Sequence, residues 1–262
     1  MPTMPPQPAL SRPLSDYSLI IFDKDNTLTE SKSPIDSDMA DLLMRLLARI
    51  KVAIISGGGY PNFSTQILNK LPSSSSSLSN LFLVPTSGTR LYTWRGAWNE
   101  QYSEQLSPVE KARIISSLKE ALAATNFTPS ATTYGDIIED RGTQITFSAL
   151  GQNAPLEKKS VWDPDRKKRQ AIADIIKAKI PEFDARIGGT TSIDITKRGI
   201  NKAFGIRKLE EHIKLTPDKI LFIGDALFQG GNDFPAKATG VDCIQVSGPA
   251  ETKKLIEQAL AD

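Results

Sequence analysis

The stretch LIIFDKDNTLTES, Leu19–Ser31, runs four apolar residues into two aspartates one residue apart, Asp23 and Asp25. Like charges at the end of a buried strand repel each other, so a fold that holds them there gains something from the pair. The chain has one histidine, His212, and one cysteine, Cys243. That excludes Ser-His and Cys-His catalysis and most histidine-based metal sites, leaving chemistry to carboxylates and lysines. Three further segments carry groups of the same kind: IISGGG at residues 54–59, GINKAFG at 199–205 and IGDALFQGGND at 223–233. Each falls at the C-terminal end of a predicted strand or beside a helix start, where open α/β sheets bind ligands.

The elements that must position these groups follow from the hydrophobic pattern. Met39, Leu42, Leu43, Leu46, Leu47 and Ile50 form one helical stripe after the first strand. KVAIIS and LFLVP read as short buried strands with a helix, NFSTQILNKL, between them. Strand and helix in alternation predict a parallel sheet with covering helices. From about Thr89 to Thr196 the pattern changes: RLYTW, TQITFSAL, FDARI and TSIDIT read as strands bunched around two helices, which predicts an α+β insertion with an antiparallel sheet. The first pattern then returns through NKAFGIRKLEEH, DKILFIGDA, VDCIQVS and AETKKLIEQAL. The expected fold class is therefore α/β, a Rossmann-like parallel-sheet core interrupted by an α+β domain. Residues 15–88 and 197–262 are expected to form the core, residues 89–196 the inserted domain, and residues 1–14 a tail. Trp94, Trp98 and Trp162 are expected to pack the insertion.

The tail, MPTMPPQPALSRPL, is proline-rich without an apolar centre, and reads as disordered rather than as a signal peptide. No apolar run approaches membrane-spanning length. Lys and Arg number 32 against 30 Asp and Glu, a balance that argues against a dedicated nucleic-acid surface. A lone cysteine rules out an internal disulfide framework and is natural in a reducing compartment. The expectation is a cytoplasmic protein whose partner is a small molecule, not a nucleic acid or a membrane; the pattern leaves its oligomeric state open.

Taken in order, FDKDNT, IISGGG, GINKAFG and IGDALFQGGND resemble the four motifs of the haloacid dehalogenase superfamily of phosphatases and phosphomutases. The placement of the insertion resembles members with a large cap between the second and third motifs. EDRGTQITFSALG, IGGTTSIDIT and GDALFQGGND resemble the phosphomannomutase-type branch and its bacterial sugar-phosphatase relatives. The resemblance covers nearly the whole chain after the tail. It implies that Asp23 is the nucleophile, forming an aspartyl-phosphate, and that Asp25 is the general acid and base. Thr27, Ser56 and the backbone around Gly57 would bind the phosphoryl oxygens, and Lys202 would tie Asp23 to the phosphoryl charge. By the same resemblance, Mg²⁺ would be held by the Asp23 carboxylate, the Asp25 backbone carbonyl and Asp225, with Asp233 completing or orienting the set. Arg141, Ser192 and Asp194 match cap residues that bind substrate.

Two departures matter. The family usually has glycine at the position of Asn26, and asparagine tolerates the left-handed turn needed there. Phosphomannomutases grip the distal phosphate of a sugar bisphosphate with several cap arginines, but one of those positions is Gln152 here and another falls near Lys158 or Lys159. Without the guanidinium fork, bidentate phosphate recognition weakens. The resulting expectation is a Mg²⁺-dependent phosphatase of a small phosphorylated metabolite, with a sugar phosphate as the expected class. The alternatives are a phosphomannomutase and, from another class, a non-catalytic receiver-like or sugar-phosphate-binding module.

Overall fold

The apolar run that leads into the acidic pair forms strand β1 (Leu19–Asp23), with all five residues buried. In the computed structural model, which describes residue 10 and residues 12–261, β1 lies inside a seven-stranded sheet. Helix α1 (Ser37–Leu47) follows; Asp36 caps it by accepting from the Met39 amide at 2.9 Å, and its stripe of Met39, Leu42, Leu43, Leu46 and Leu47 is buried. Strand β2 (Lys51–Ile55), helix α2 (Tyr60–Gln66) and strand β3 (Leu81–Val84) continue the alternation. Strands β4 (Arg90–Trp94) and β5 (Trp98–Ser103) extend the same sheet.

The inserted segment contains helix α3 (Pro108–Ala124), strands β6 (Ile138–Asp140) and β7 (Ile145–Ser148), helices α4 (Leu156–Trp162) and α5 (Lys167–Lys179), and strands β8 (Phe183–Gly188) and β9 (Ser192–Lys197). The chain then returns through helix α6 (Lys202–Ile213), strand β10 (Ile220–Gly224), strand β11 (Asp242–Gln245) and helix α7 (Pro249–Ala261).

The large sheet has the order β11-β10-β1-β2-β3-β4-β5. Its pairs from β11 to β3 are parallel, and β4 runs antiparallel to β3. Successive side chains of a strand point to opposite faces. Ile20 and Phe22 of β1 accordingly join Val52, Ile54, Leu221 and Ile223 in a cluster with α1 and α7. Leu19 and Ile21 join Ala53, Ile55 and Phe222 in a second cluster with Ile206 and Leu209 of α6. Both faces are covered, which is why these strands read as continuous apolar runs.

The second compact unit spans Ser103–Ile200. Its four-stranded sheet, order β6-β7-β9-β8, is antiparallel throughout. Ile145, Phe147, Ile193 and Ile195 pack against α3 and α5, so the alternate positions Thr146, Ser148, Ser192 and Asp194 lie on the other face. The α/β core with an α+β, antiparallel insertion is the expected fold class.

Three local expectations change. RLYTW belongs to the seven-stranded sheet, and the first compact unit extends through Tyr102 rather than stopping at Gly88. The reason is the antiparallel pairing of Phe82 with Thr93 and of Leu83 with Tyr92. Trp94 and Trp98 pack against the cluster that holds α1, and only Trp162 joins the cluster of the second unit. The tail expectation over residues 1–9 and 11 lies outside the described residues. Within the described part, Arg12 donates to Asp242 at 2.7 Å and Leu14 is buried, so the end of that stretch is held in place.

Candidate active site

Strand parity places the two aspartates. Asp23 continues the series Leu19, Ile21 and faces the side of the sheet covered by α6, whose first residue is Lys202. Asn201 caps that helix by accepting from the Phe204 amide at 3.1 Å. The helix lies tight against the turn at Thr86–Gly88, where a Cβ on Gly88 would meet the Gly205 Cα at 2.2 Å. That close approach lets the lysine enter between carboxylates. Lys202 donates to Asp23 Oδ1, lies 3.1 Å from Asp233 Oδ1, and is 3% exposed.

Asp225 directly follows β10. Asp233, in the next loop, is fully buried and accepts from the Ala226 amide at 3.1 Å. Gly224 makes room for it, since a Cβ there would meet Asp233 Oδ2 at 2.4 Å. Asp23, Asp225 and Asp233 each offer a carboxylate oxygen within 4.8 Å of the others.

Burial raises the Asp23 carboxyl well above its usual range, opposed by Lys202 and reinforced by Asp233 and Asp25. Asp225 is also raised, by burial and then by Asp233. For Lys202, burial works toward neutrality, but Asp23 and Asp233 prevail and hold its ammonium above the ordinary lysine value. The cluster is thus short of positive charge, with one ammonium among three carboxylates.

Asp25 has different surroundings. Burial would raise its carboxyl, yet Lys24, the Lys32 amide and the Ser56 hydroxyl together bring it below the ordinary value. The Lys32 amide donates to Oδ1 at 2.7 Å, Ser56 Oγ donates to Oδ2 at 3.2 Å, and Lys24 Nζ lies 2.9 Å from Oδ2. Asn26 between the motif's polar residues takes the left-handed conformation, φ 58°. Thr27 Oγ1 is buried with no hydrogen-bond partner among the described residues. Ser56 follows β2 and accepts from the Gly58 amide at 3.1 Å, while Gly57 lies in the same turn.

In the second unit, the three remaining predicted residues share one sheet face. Arg141 donates to Glu139 at 2.7 Å, and its Nη1 is 4.0 Å from Asp194 Oδ1. Thr146 donates to that same oxygen at 2.8 Å. Ser192 and Ser148 share a hydrogen bond at 2.9 Å, and Gln152 donates to Ser148 at 2.7 Å. Lys158 donates to the Tyr134 hydroxyl and Lys159 to the Gln152 carbonyl, each at 2.7 Å.

The sequence reading missed Lys24, Gln66, Glu139 and Thr146. A lysine beside two aspartates reads as solvated, and only the fold reveals that Lys24 is 1% exposed. The alternation of Gln144, just before β7, with Thr146 and Ser148 within it was the available signal for a polar sheet face.

A family described as eukaryotic phosphomannomutase matches residues 39–262. A probable phosphomannomutase of Caenorhabditis elegans is 24% identical over 261 residues, covering 97% of this chain and 99% of that protein. Human phosphomannomutase 1 is 24% identical over 227 residues, covering 82% and 81%. Among solved structures, a truncated IMP-nucleotidase of Plasmodium falciparum superposes with TM-score 0.70 at 21% identity, over 94% of this chain and 71% of that one. A haloacid dehalogenase-like hydrolase from Bacteroides thetaiotaomicron superposes with TM-score 0.58 at 16% identity, over 92% and 99%. At those identities the structural likeness establishes the fold alone.

Proposed function

Because the chain belongs to the eukaryotic phosphomannomutase family, of haloacid dehalogenase type, and is an enzyme acting on phosphate esters, we propose that it is a phosphatase of a small phosphorylated metabolite, with a sugar phosphate as the substrate class. The observation that carries the reading is the pairing of a buried Asp23 with Lys202 beside an Asp25 held by separate donors. Asp23 attacks phosphorus as a carboxylate, while the ester oxygen leaves with a proton from Asp25, whose carboxyl a bound phosphate dianion would raise toward protonation. Water then attacks the aspartyl-phosphate, giving its proton to Asp25 and releasing phosphate and free Asp23. Thr27 Oγ1, buried and without a hydrogen-bond partner among the described residues, can donate to a phosphoryl oxygen, and Ser56 and the amides near Gly57 are the other donors.

The donor set fits a divalent cation such as Mg²⁺, since three carboxylate oxygens lie close together with one ammonium to balance them. Asp23, Asp225 and the Asp25 carbonyl would hold it, with Asp233 completing or orienting the set. Such an ion would neutralise the repulsion between Asp23 and a phosphate dianion.

Hydrolysis rather than isomerisation is favoured by the second unit. Gln152 stands where a mutase has a guanidinium, and its amide is engaged by Ser148. Lys158 and Lys159 are likewise engaged, by Tyr134 and the Gln152 carbonyl. We assign Arg141, Ser192 and Asp194 to recognition of the part of the substrate away from the reacting phosphate. The family itself favours the second reading, a phosphomannomutase. Phosphate release across a panel of phosphorylated metabolites, mannose 1-phosphate with and without its bisphosphate included, separates the two. Free phosphate independent of bisphosphate supports the phosphatase; bisphosphate-activated isomerisation without phosphate release establishes the mutase.

A further inference from the structure

Lys24 lies between the two aspartates in sequence but on the opposite side of the sheet from Lys202. It donates to Gln66 Oε1 at 2.5 Å, and Gln66 ends α2, whose Phe63 belongs to the α1 cluster. Gln66 Nε2 donates to the Lys32 carbonyl at 3.2 Å, and the Lys32 amide donates to Asp25 Oδ1 at 2.7 Å. Lys24 Nζ closes the circuit at 2.9 Å from Asp25 Oδ2. The ring runs Asp25, Lys24, Gln66, Lys32 and back to Asp25. Stripping an ammonium of water is costly, and an aliphatic residue would fill the same space without that cost. A lysine 1% exposed therefore needs a reason to be charged there.

Ser56 shows what the reason is. Its hydroxyl has a single proton, which it gives to Asp25 Oδ2 at 3.2 Å. A serine that turns this proton to a phosphoryl oxygen can no longer hold Asp25. We propose that Lys24, braced by Gln66, is a positioning residue that keeps the Asp25 carboxylate aimed at the reacting oxygen once Ser56 has transferred its hydrogen bond to substrate. The inference rests on the reading of Asp25 as acid and base. It adds two residues, one at the strand end and one at a helix end, to the apparatus of the reaction. Lys24 itself touches no substrate and acts through Asp25.

The test compares wild type, Lys24→Met, Asp25→Asn and the double variant on an alkyl phosphate, with KM and kcat measured separately. Lys24→Met should lower kcat roughly ten- to a hundred-fold, the worth of one hydrogen bond to a charged group, and leave KM within about two-fold. In the Asp25→Asn background the same change should cost nothing further, because the two act as a unit. Hydrogen exchange at the Lys32 amide gives a readout independent of turnover, and should be faster in Lys24→Met than in wild type. If Lys24→Met does not fold, Gln66→Leu carries the test with losses in the same direction. An undiminished kcat, an equal loss in the Asp25→Asn background, or unchanged Lys32 exchange would each overturn the positioning role while leaving the phosphatase reading intact. Full activity in Asp25→Asn would instead overturn the acid and base assignment, and the role of Lys24 with it.

Discussion

Asp23 is buried against Lys202 and Asp233, whereas both oxygens of Asp25 accept hydrogen bonds from donors outside that cluster. Two identical side chains thus meet different partners, and the proposed roles of nucleophile and proton carrier rest on that geometry; a bound cation would bring the Asp23 carboxyl down, and a phosphate dianion would raise that of Asp25. Part of this was legible in the sequence: the D-x-D spacing, the serine after β2 and Asp225 marked strand ends, and Lys202 marked a helix start. Lys24 and Gln66 were not, because a closed ring of hydrogen bonds joins residues 42 positions apart and leaves no local pattern. A proton carrier is expected to be worth roughly 10²–10⁴-fold in rate. Asp25→Asn should lose that much on an alkyl phosphate and less on an activated aryl phosphate, whose leaving group needs no proton. Steady-state rates on the two esters check this; undiminished turnover of the alkyl ester would make Asp25 a turn residue.

Strands β1, β2, β3 and β10 announced themselves because neighbours cover both faces, and nearly every position is apolar. Strand β4 alternates between buried and half-buried residues, which identifies a strand without naming its partner. Its pairing with β3 is a tertiary fact, and for that reason the first compact unit runs on to Tyr102. Helix α1 shows how a single residue sets an element. Asp36 caps it, and the Asp36 carboxyl is held below its ordinary value of 3.8 by Lys253, at 2.7 Å, and then by the Met39 amide. A depressed carboxyl stabilises the fold above its unfolded pKa and loses that contribution as pH falls through the folded value. Asp36→Ala should cost about 0.5–2 kcal/mol near neutral pH, the usual worth of an N-cap. The difference from wild type should shrink as pH drops below about 3.8. Urea denaturation at several pH values measures both effects, and a difference that grew in acid would contradict the assignment.

At the scale of the whole molecule, one unit carries the acidic cluster and the other a polar sheet face built by strand alternation. No helix among the described residues is long and apolar enough to cross a membrane. If the polar face reads the substrate, Arg141→Ala should raise KM or lower kcat/KM for the natural ester about ten- to a hundred-fold, as expected for one lost charge-assisted contact. A small artificial ester, such as p-nitrophenyl phosphate, should be turned over almost unchanged. Equal losses on both would mean that Arg141, 7% exposed and paired with Glu139, acts through stability. The central claim is that the reaction passes through the Asp23 carboxylate, and its most direct measurement is phosphate release by wild type and Asp23→Asn at equal fold content, with Mg²⁺ present and after chelation. The account predicts release by the wild type with Mg²⁺, loss on chelation with recovery when Mg²⁺ is restored, and none from Asp23→Asn under either condition. Substantial phosphate release by a well-folded Asp23→Asn would contradict it.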